Sequence, residues 1–412
     1  MELFIAVLLL MGKVFLSTFT SPLFIITYLL LFFIVCWQYR RLEDITQTLM
    51  NYSRNQYLRS ALLSTALGLL GGLLGSILLI FIGIDLGHLG IMYLWVIAVL
   101  LMLVNPRFLC FAYAGGILSL ISLATGYPDI NIAQLMGLIA VLHMVESILI
   151  MLNGSFNPVP VYLRSGDNIR GGFNLQNFWP IPLIALVASG MADTSTGINM
   201  PDWWPLIKDY GQYDYGRNYT LLPVLAVLGY GEISSTSTPR QRVKKSGKNL
   251  FFFSLILLLL SILVSRWAQL TIIAALFSPL GHEFIIWLGM REETKRQPIY
   301  IKPPRGIMVL DVKTGSLASQ AGIRSRDIIL SVNGEPANNF YTLQELLSYG
   351  WITVELEVLR EGKKTMQLLN CSPWQELGII PVPEGFTPKY LSMDHDNIFD
   401  RLRRISGRLI RK

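Results

Sequence analysis

Apolar residues run in long unbroken blocks through the first 289 positions and in short alternating blocks after them. The long blocks lie at about 2–17, 19–37, 61–82, 91–104, 108–124, 132–152, 178–191, 219–233, 250–265 and 268–289. They approach or exceed the roughly 20 residues that a membrane-crossing helix needs. The pattern predicts a polytopic α-helical membrane domain of eight to ten spans over residues 1–290. Blocks 91–104 and 108–124 flank Asn105-Pro106-Arg107 and predict a tight hairpin or a broken helix. The pair 178–191 and 219–233 is short enough to be re-entrant. Gly68, Gly71, Gly72 and Gly75 share one apolar block, where small residues let backbones approach closely.

After Arg291–Arg296 the pattern changes to short strands and turns. Gly306–Val312 alternates as a strand, and Ser316–Ala321 predicts a short helix closed by Gly322 in a left-handed conformation. Asp327–Val332 reads as a second strand, and Asn333-Gly334 supplies a tight turn. Thr342–Tyr349 predicts a helix with Leu343, Leu346 and Leu347 on one face. Strands at 352–360 and 364–369 surround the turn Glu361-Gly362.

Charge orients the blocks. Arg40, Arg41, Arg54 and Arg59 follow the second block, Arg164 and Arg170 the sixth, and Arg240, Arg242, Lys244, Lys245 and Lys248 precede the ninth. By the positive-inside rule these loops are cytoplasmic. Asp85, Asp129, Asp193, Asp202, Asp209 and Asp214 fall in the intervening loops. An even number of spans puts both termini, and the C-terminal module, in the cytoplasm. In the longest acidic loop, Trp203 and Trp204 are expected at the outer interface. Residues 3–16 are followed at once by Phe19–Trp37 without a small-residue cleavage pattern, so the first helix is expected to stay as an anchor.

Composition adds little to this: 52% of residues are hydrophobic and 15% charged. The net charge of +7 reflects positive-inside loops rather than a nucleic-acid partner. Cys36, Cys110 and Cys371 lie far apart with no metal-ligand spacing, so neither a disulfide framework nor a metal or other cofactor is expected.

The run Ala318, Ala321, Gly322, Asp327, Ile328, Ile329, Val332, Asn333 and Gly334 resembles the core signature of PDZ domains in their bacterial, circularly permuted form. Leu317 stands where that family usually has proline, and Arg326 where it usually has glycine. The resemblance implies a small α+β PDZ domain at 291–385 that binds a protein C-terminus or extended peptide at a sheet edge. Its carboxylate loop is matched best by Leu377-Gly378-Ile379-Ile380, with Arg305-Gly306-Ile307 as the second candidate. Leu343 and Leu347 would form the facing wall. The alternative is that Leu377–Ile380 merely closes the sheet.

Membrane proteins with PDZ domains include site-2 type metalloproteases, whose zinc helix reads His-Glu-x-x-His. His282-Glu283 begins such a motif, but Ile286 occupies the second histidine's position. A site-2-protease-like peptidase, or a regulator of one, is therefore the alternative to a non-catalytic role. His143, Glu146, His282 and Glu283 are the candidate polar cluster within the membrane, where ionisable groups are costly and tend to be functional. They leave transport as a weaker third reading beside a plain polar contact between helices.

Past Pro388, Ile398, Phe399, Leu402, Ile405 and Leu409 share a helical face, with Arg401, Arg403, Arg404, Arg408, Arg411 and Lys412 around it. Residues 386–412 thus predict a basic amphipathic tail suited to anionic lipid, with a partner-binding helix or a solvated tail as alternatives. The layout, together with Gly171–Pro182 (GGFNLQNFWPIP) and Ser278-Pro-Leu-Gly-His-Glu283, resembles the MinJ-like family of multi-pass PDZ proteins in Gram-positive division-site selection. That resemblance implies a plasma-membrane adaptor between DivIVA-like and MinD-like division proteins, septal or polar in location.

Overall fold

The computed structural model describes residues 2–50, 55–165, 168–189, 198–208, 218–350, 352–370, 376–384 and 391–392. Arg54, Asp193, Asp209, Asp214, Cys371 and the amphipathic tail from Ile398 onward lie outside the described residues. Helices α1 (Glu2–Thr18), α2 (Pro22–Met50), α3 (Tyr57–Ile82), α4 (Ile91–Val104), α5 (Phe111–Thr125), α6 (Ile132–Asn153), α7 (Pro239–Val264) and α8 (Thr271–Lys295) build the N-terminal part. Five of these (α2, α3, α6, α7 and α8) are long and apolar enough to cross a membrane, while α4 and α5 are shorter apolar helices. The turn between α4 and α5 is tight, as expected. Asn105 accepts the Arg107 N–H at 3.1 Å and Pro106 starts a short 3-10 turn.

Two of the ten apolar blocks are strands, not membrane helices. Strands β1 (Val159–Ser165), β2 (Asn168–Ser189) and β3 (Asn218–Ser234) form an antiparallel sheet, with β2 and β3 paired from Phe173↔Ser234 to Ser189↔Asn218. The expected segments 178–191 and 219–233 are therefore the inner part of a long hairpin. Proline explains why no helix forms: Pro180, Pro182 and Pro223 would each remove a helical hydrogen bond.

The same prolines let a strand survive beside a helix. In apolar surroundings every backbone donor needs a partner. β1 covers the start of the outer β2 edge, and α3 lies along its continuation. The N–H of Phe178 reaches the Tyr39 hydroxyl at 3.3 Å, that of Ile184 the Ser76 Oγ at 2.7 Å, and that of Ala188 the Asp85 Oδ1 at 3.0 Å. Between them, Pro180 and Pro182 have no N–H to satisfy. Their carbonyls press onto α3 at glycines. A Cβ on Gly68 would sit 2.2 Å from Pro180 O, and one on Gly72 2.0 Å from Pro182 O. Gly71 faces Leu149 and Val145 of α6, while Gly75 faces Leu183 and Val145. The expected close packing at the glycine cluster is thus found, with a strand on one side and a helix on the other.

Polar contacts tie the loops together at both ends of the bundle. At one end Arg170 donates to the Glu293 carbonyl (3.2 Å), Arg242 pairs with Glu232 (2.6 Å), Lys245 pairs with Glu292, and Asn157 meets Ser60 (3.2 Å). At the other, Asp85 takes its place among Gln134, Gly87 and Ala188, and Trp204 donates to Ile80 O at 2.9 Å. Trp203 is exposed, whereas Trp204 packs edge-to-face on Tyr219.

The C-terminal module comprises β4 (Ile307–Val312), α9 (Leu317–Gln320), β5 (Ile328–Val332), β6 (Glu335–Pro336), α10 (Phe340–Ser348), β7 (Thr353–Arg360), β8 (Lys363–Asn370) and β9 (Ile379–Pro381). The sheet order is β8-β7-β5-β4-β9, so the last of these strands lies beside the first. A final strand, β10 (Leu391–Ser392), pairs in parallel with β1. The expected turns form, with positive φ at Gly322, at Asn333-Gly334 and at Glu361-Gly362. The module does not hang free. Leu310, Ile380 and Val382 share a core with Phe173, Leu175 and Tyr300, and Ile299 and Tyr300 exchange backbone bonds with Ser235 and Gly171.

Candidate functional site

The module's own core explains its signature residues. Ser316 caps α9 by accepting the Ser319 N–H, and Leu317 and Ala318 bury their side chains. Asp327, buried at the head of β5, accepts two hydrogen bonds from Arg360 at 2.8 and 2.6 Å and one from the Arg324 N–H. Such a bidentate, charge-assisted pair is both directional and strong. Arg326 holds φ at +76°, which is why glycine suits this position and why arginine is tolerated only with strain.

Gly378 stands at the head of β9 with φ of +75°, and a Cβ there would lie 2.3 Å from the Ser316 Cβ. The Gly378 carbonyl accepts the Lys313 N–H (2.8 Å) and the Leu377 carbonyl the Ala318 N–H (3.0 Å). Strand β9 pairs with β4 on one side and ends the sheet on the other. Leu377 and Ile379 join Leu343 of α10 in one apolar cluster, with Leu346 and Leu347 half-buried against it. Ile380 points the other way, into the core shared with Tyr300. The chain leaving β9 crosses to α10, where Glu384 accepts the Phe340 N–H at 2.8 Å. β9 and α10 therefore flank one apolar seam. The second candidate loop sits at the opposite end of β4, where Gly306 backs onto the Ile329 carbonyl and Arg305 precedes it. Ile307 is wholly buried there.

Residues 308–350 match the family model for a PDZ domain. The chain is also 24% identical over 202 residues to the cell division topological determinant MinJ of Bacillus subtilis (strain 168). The chain spans about half the length of this curated relative, since the match covers 48% of each. The chain thus carries a PDZ domain after a set of apolar helices and is similar to MinJ over about half its length.

A second polar site lies among the helices. The Ser278–Glu283 motif positions it. Pro279 of α8 packs on Gly116 of α5, Ser278 donates to the Ala112 carbonyl at 2.8 Å, and Gly281 makes room for the Phe253 ring. His282 then faces His143 of α6, with ring centroids 5.2 Å apart. Cys110, at the start of α5, completes the group, with Sγ 3.1 Å from His143 Nε2 and 3.7 Å from His282 Nε2. The structure thus brings the two expected histidines together and adds a cysteine that sequence spacing could not place. Glu283 turns away, accepting from Tyr113 (2.6 Å) and pairing with Arg107 (2.7 Å). Glu146 lies one turn beyond His143 on α6.

Proposed function

We propose that this chain is a non-catalytic, membrane-anchored adaptor whose PDZ domain captures a protein C-terminus or extended peptide and thereby positions division proteins. The observation that carries this reading is the left-handed Gly378 at the head of an edge strand, beside the Leu343–Leu377–Ile379 seam. An extended peptide can add to such an edge through its backbone while its last side chain fills the apolar seam. Leu377, Gly378, Ile379 and Ile380 form the loop and strand, and Leu343 and Leu347 the facing wall. The late position of β9 in the chain is what circular permutation of the domain would produce. The working division is a membrane domain at 1–290, a PDZ domain at 291–385 and a lipid-contacting tail at 386–412.

The gathering of basic loops at the PDZ end supports a cytoplasmic placement by the positive-inside rule. Eight helices, like ten, would leave both termini on that side. MinJ is named as a cell division topological determinant. DivIVA-like and MinD-like proteins at septa or poles are accordingly the proposed partners. Against a peptidase, Glu283 is engaged by Arg107 and Tyr113, and Ile286 stands where the motif needs histidine.

A fluorescent fusion in dividing Gram-positive cells tests this role. The intact chain should concentrate at septa or poles and retain its cross-linked partners. Gly378→Val and Leu347→Lys should each lose partners, while His282→Ala should keep them. Retention of every partner by both PDZ variants would sink the adaptor reading.

A further inference from the structure

We propose that Cys110, His143 and His282 form a binding site for a thiophilic d10 cation, zinc(II) or copper(I), inside the helical bundle. Their three ligand atoms all lie within 4.8 Å of one another. A tetrahedral ion with metal–sulfur and metal–nitrogen bonds of ordinary length requires sulfur and nitrogen about 3.6 Å apart. The observed 3.1 and 3.7 Å bracket that separation. Small side-chain movements suffice to admit the ion.

The protonation pattern fits a ligand set. His143 Nδ1 lies 2.8 Å from the Ile139 carbonyl, which can only accept, so Nδ1 carries the hydrogen. Nε2 then presents its lone pair toward Cys110 and His282. A hydrogen bond from one imidazole nitrogen to a carbonyl is the usual means of fixing a metal-binding histidine. Without an ion, His282 is poorly served. Its Nε2 sees only a distant sulfur, while its buried Nδ1, which carries the hydrogen when Nε2 is a ligand, has no hydrogen-bond partner among the described residues. Cys110 has one thiol hydrogen for two rings. Binding would displace that hydrogen as a proton to solvent and give both Nε2 atoms a strong partner.

Charge separates the two ions. A Cys110 thiolate with two neutral imidazoles makes a neutral site with copper(I), but leaves one positive charge with zinc(II). Uncompensated charge is costly inside a bilayer, and Glu146, one turn from His143 on α6, would cancel it if ionised. The site would also join α5, α6 and α8, and α8 leads directly to the residues that dock the PDZ domain. This inference stands apart from the peptide-binding role.

The test uses the full chain in lipid nanodiscs, loaded with zinc(II) or with copper(I) under reducing conditions, desalted and analysed for metal. One ion per chain is expected. Affinity should fall at least about tenfold in Cys110→Ser and in His282→Gln. Glu146→Gln should weaken zinc while sparing copper. Since core variants can misfold, alkylation of the unaltered chain provides the second measurement. Metal should protect Cys110 and leave Cys36 labelled as before. No stoichiometric metal, or equal labelling of Cys110 with and without both ions, would overturn the proposal.

Discussion

The Tyr162 hydroxyl of β1 donates to the Pro381 carbonyl of β9 at 2.9 Å. This bond joins the hairpin sheet of the membrane part to the PDZ edge strand that carries the candidate groove. It also fills one acceptor on that edge, while Pro381 itself offers no N–H. In the proposed groove a peptide terminus would enter at the Gly378 end of the strand. Tyr162→Phe should weaken this joint by about 0.5–1.5 kcal/mol, the usual net worth of one hydrogen bond. Hydrogen exchange on the full chain should show faster exchange across β9 and unchanged exchange in β7 and β8.

The same joint should loosen in alkali. Burial first, and then the Glu384 charge, push the Tyr162 hydroxyl up to about 12. Burial is also the main cause that pushes Tyr300 up to about 12. A raised tyrosine keeps its proton better in the folded state. Its contribution is fully present below the unfolded value of about 10 and is lost as pH rises toward the folded one. Thermal unfolding of the intact chain should therefore fall between about pH 10 and 12, more steeply than that of a Tyr162→Phe, Tyr300→Phe double variant. Parallel curves would contradict this.

Glu293 is the anchor of the charged end. It accepts from the N–H and hydroxyl of Ser235 and of Thr236 at 2.9 to 3.1 Å, and lies 3.7 Å from Arg242. Removing one partner of a buried charged network costs about 3–5 kcal/mol. Glu293→Ala should destabilise the chain by that order, and Glu293→Gln by less, because an amide oxygen still accepts. Detergent-solubilised protein melted by differential scanning fluorimetry reads both.

Gly72 and Gly12 make an internal comparison. A methyl on Gly72 meets the Pro182 carbonyl at 2.0 Å, and one on Gly12 meets nothing within 4 Å. Gly72→Ala should separate α3 from β2 and lower folded yield severely. Gly12→Ala should be neutral or slightly stabilising, since alanine favours helix by about 1 kcal/mol. Similar yields for the two would contradict the strand-on-helix packing.

The PDZ module was legible because its signals are local. Asn333-Gly334 and Glu361-Gly362 need only their neighbours to form turns, and alternation in 307–312 and 328–332 marks strands. The hairpin β2–β3 was not. An apolar run of moderate length satisfies a membrane helix and a buried strand equally, and periodicity alone does not separate them. Pro180 and Pro182, two apart in one block, carried the missing signal, since a helix interior excludes such a pair. Glu293 was equally hidden, as its partners Ser235 and Thr236 are polar residues in a loop. The Cys110–His143–His282 group joins three helices, with Cys110 33 and 172 positions from its partners. Spacing rules address only ligands close in sequence.

The central claim is a peptide-reading PDZ groove on a membrane anchor. Its most direct measurement is binding of the full chain in nanodiscs to an array of C-terminal peptides, each presented with a free carboxylate and as an amide. The account predicts a peptide subset that binds only with the free carboxylate, lost on Gly378→Val and on Leu347→Lys while both variants melt as cooperatively as the intact chain. Equal binding of the free and amidated forms, or the same subset retained by both folded variants, would contradict it.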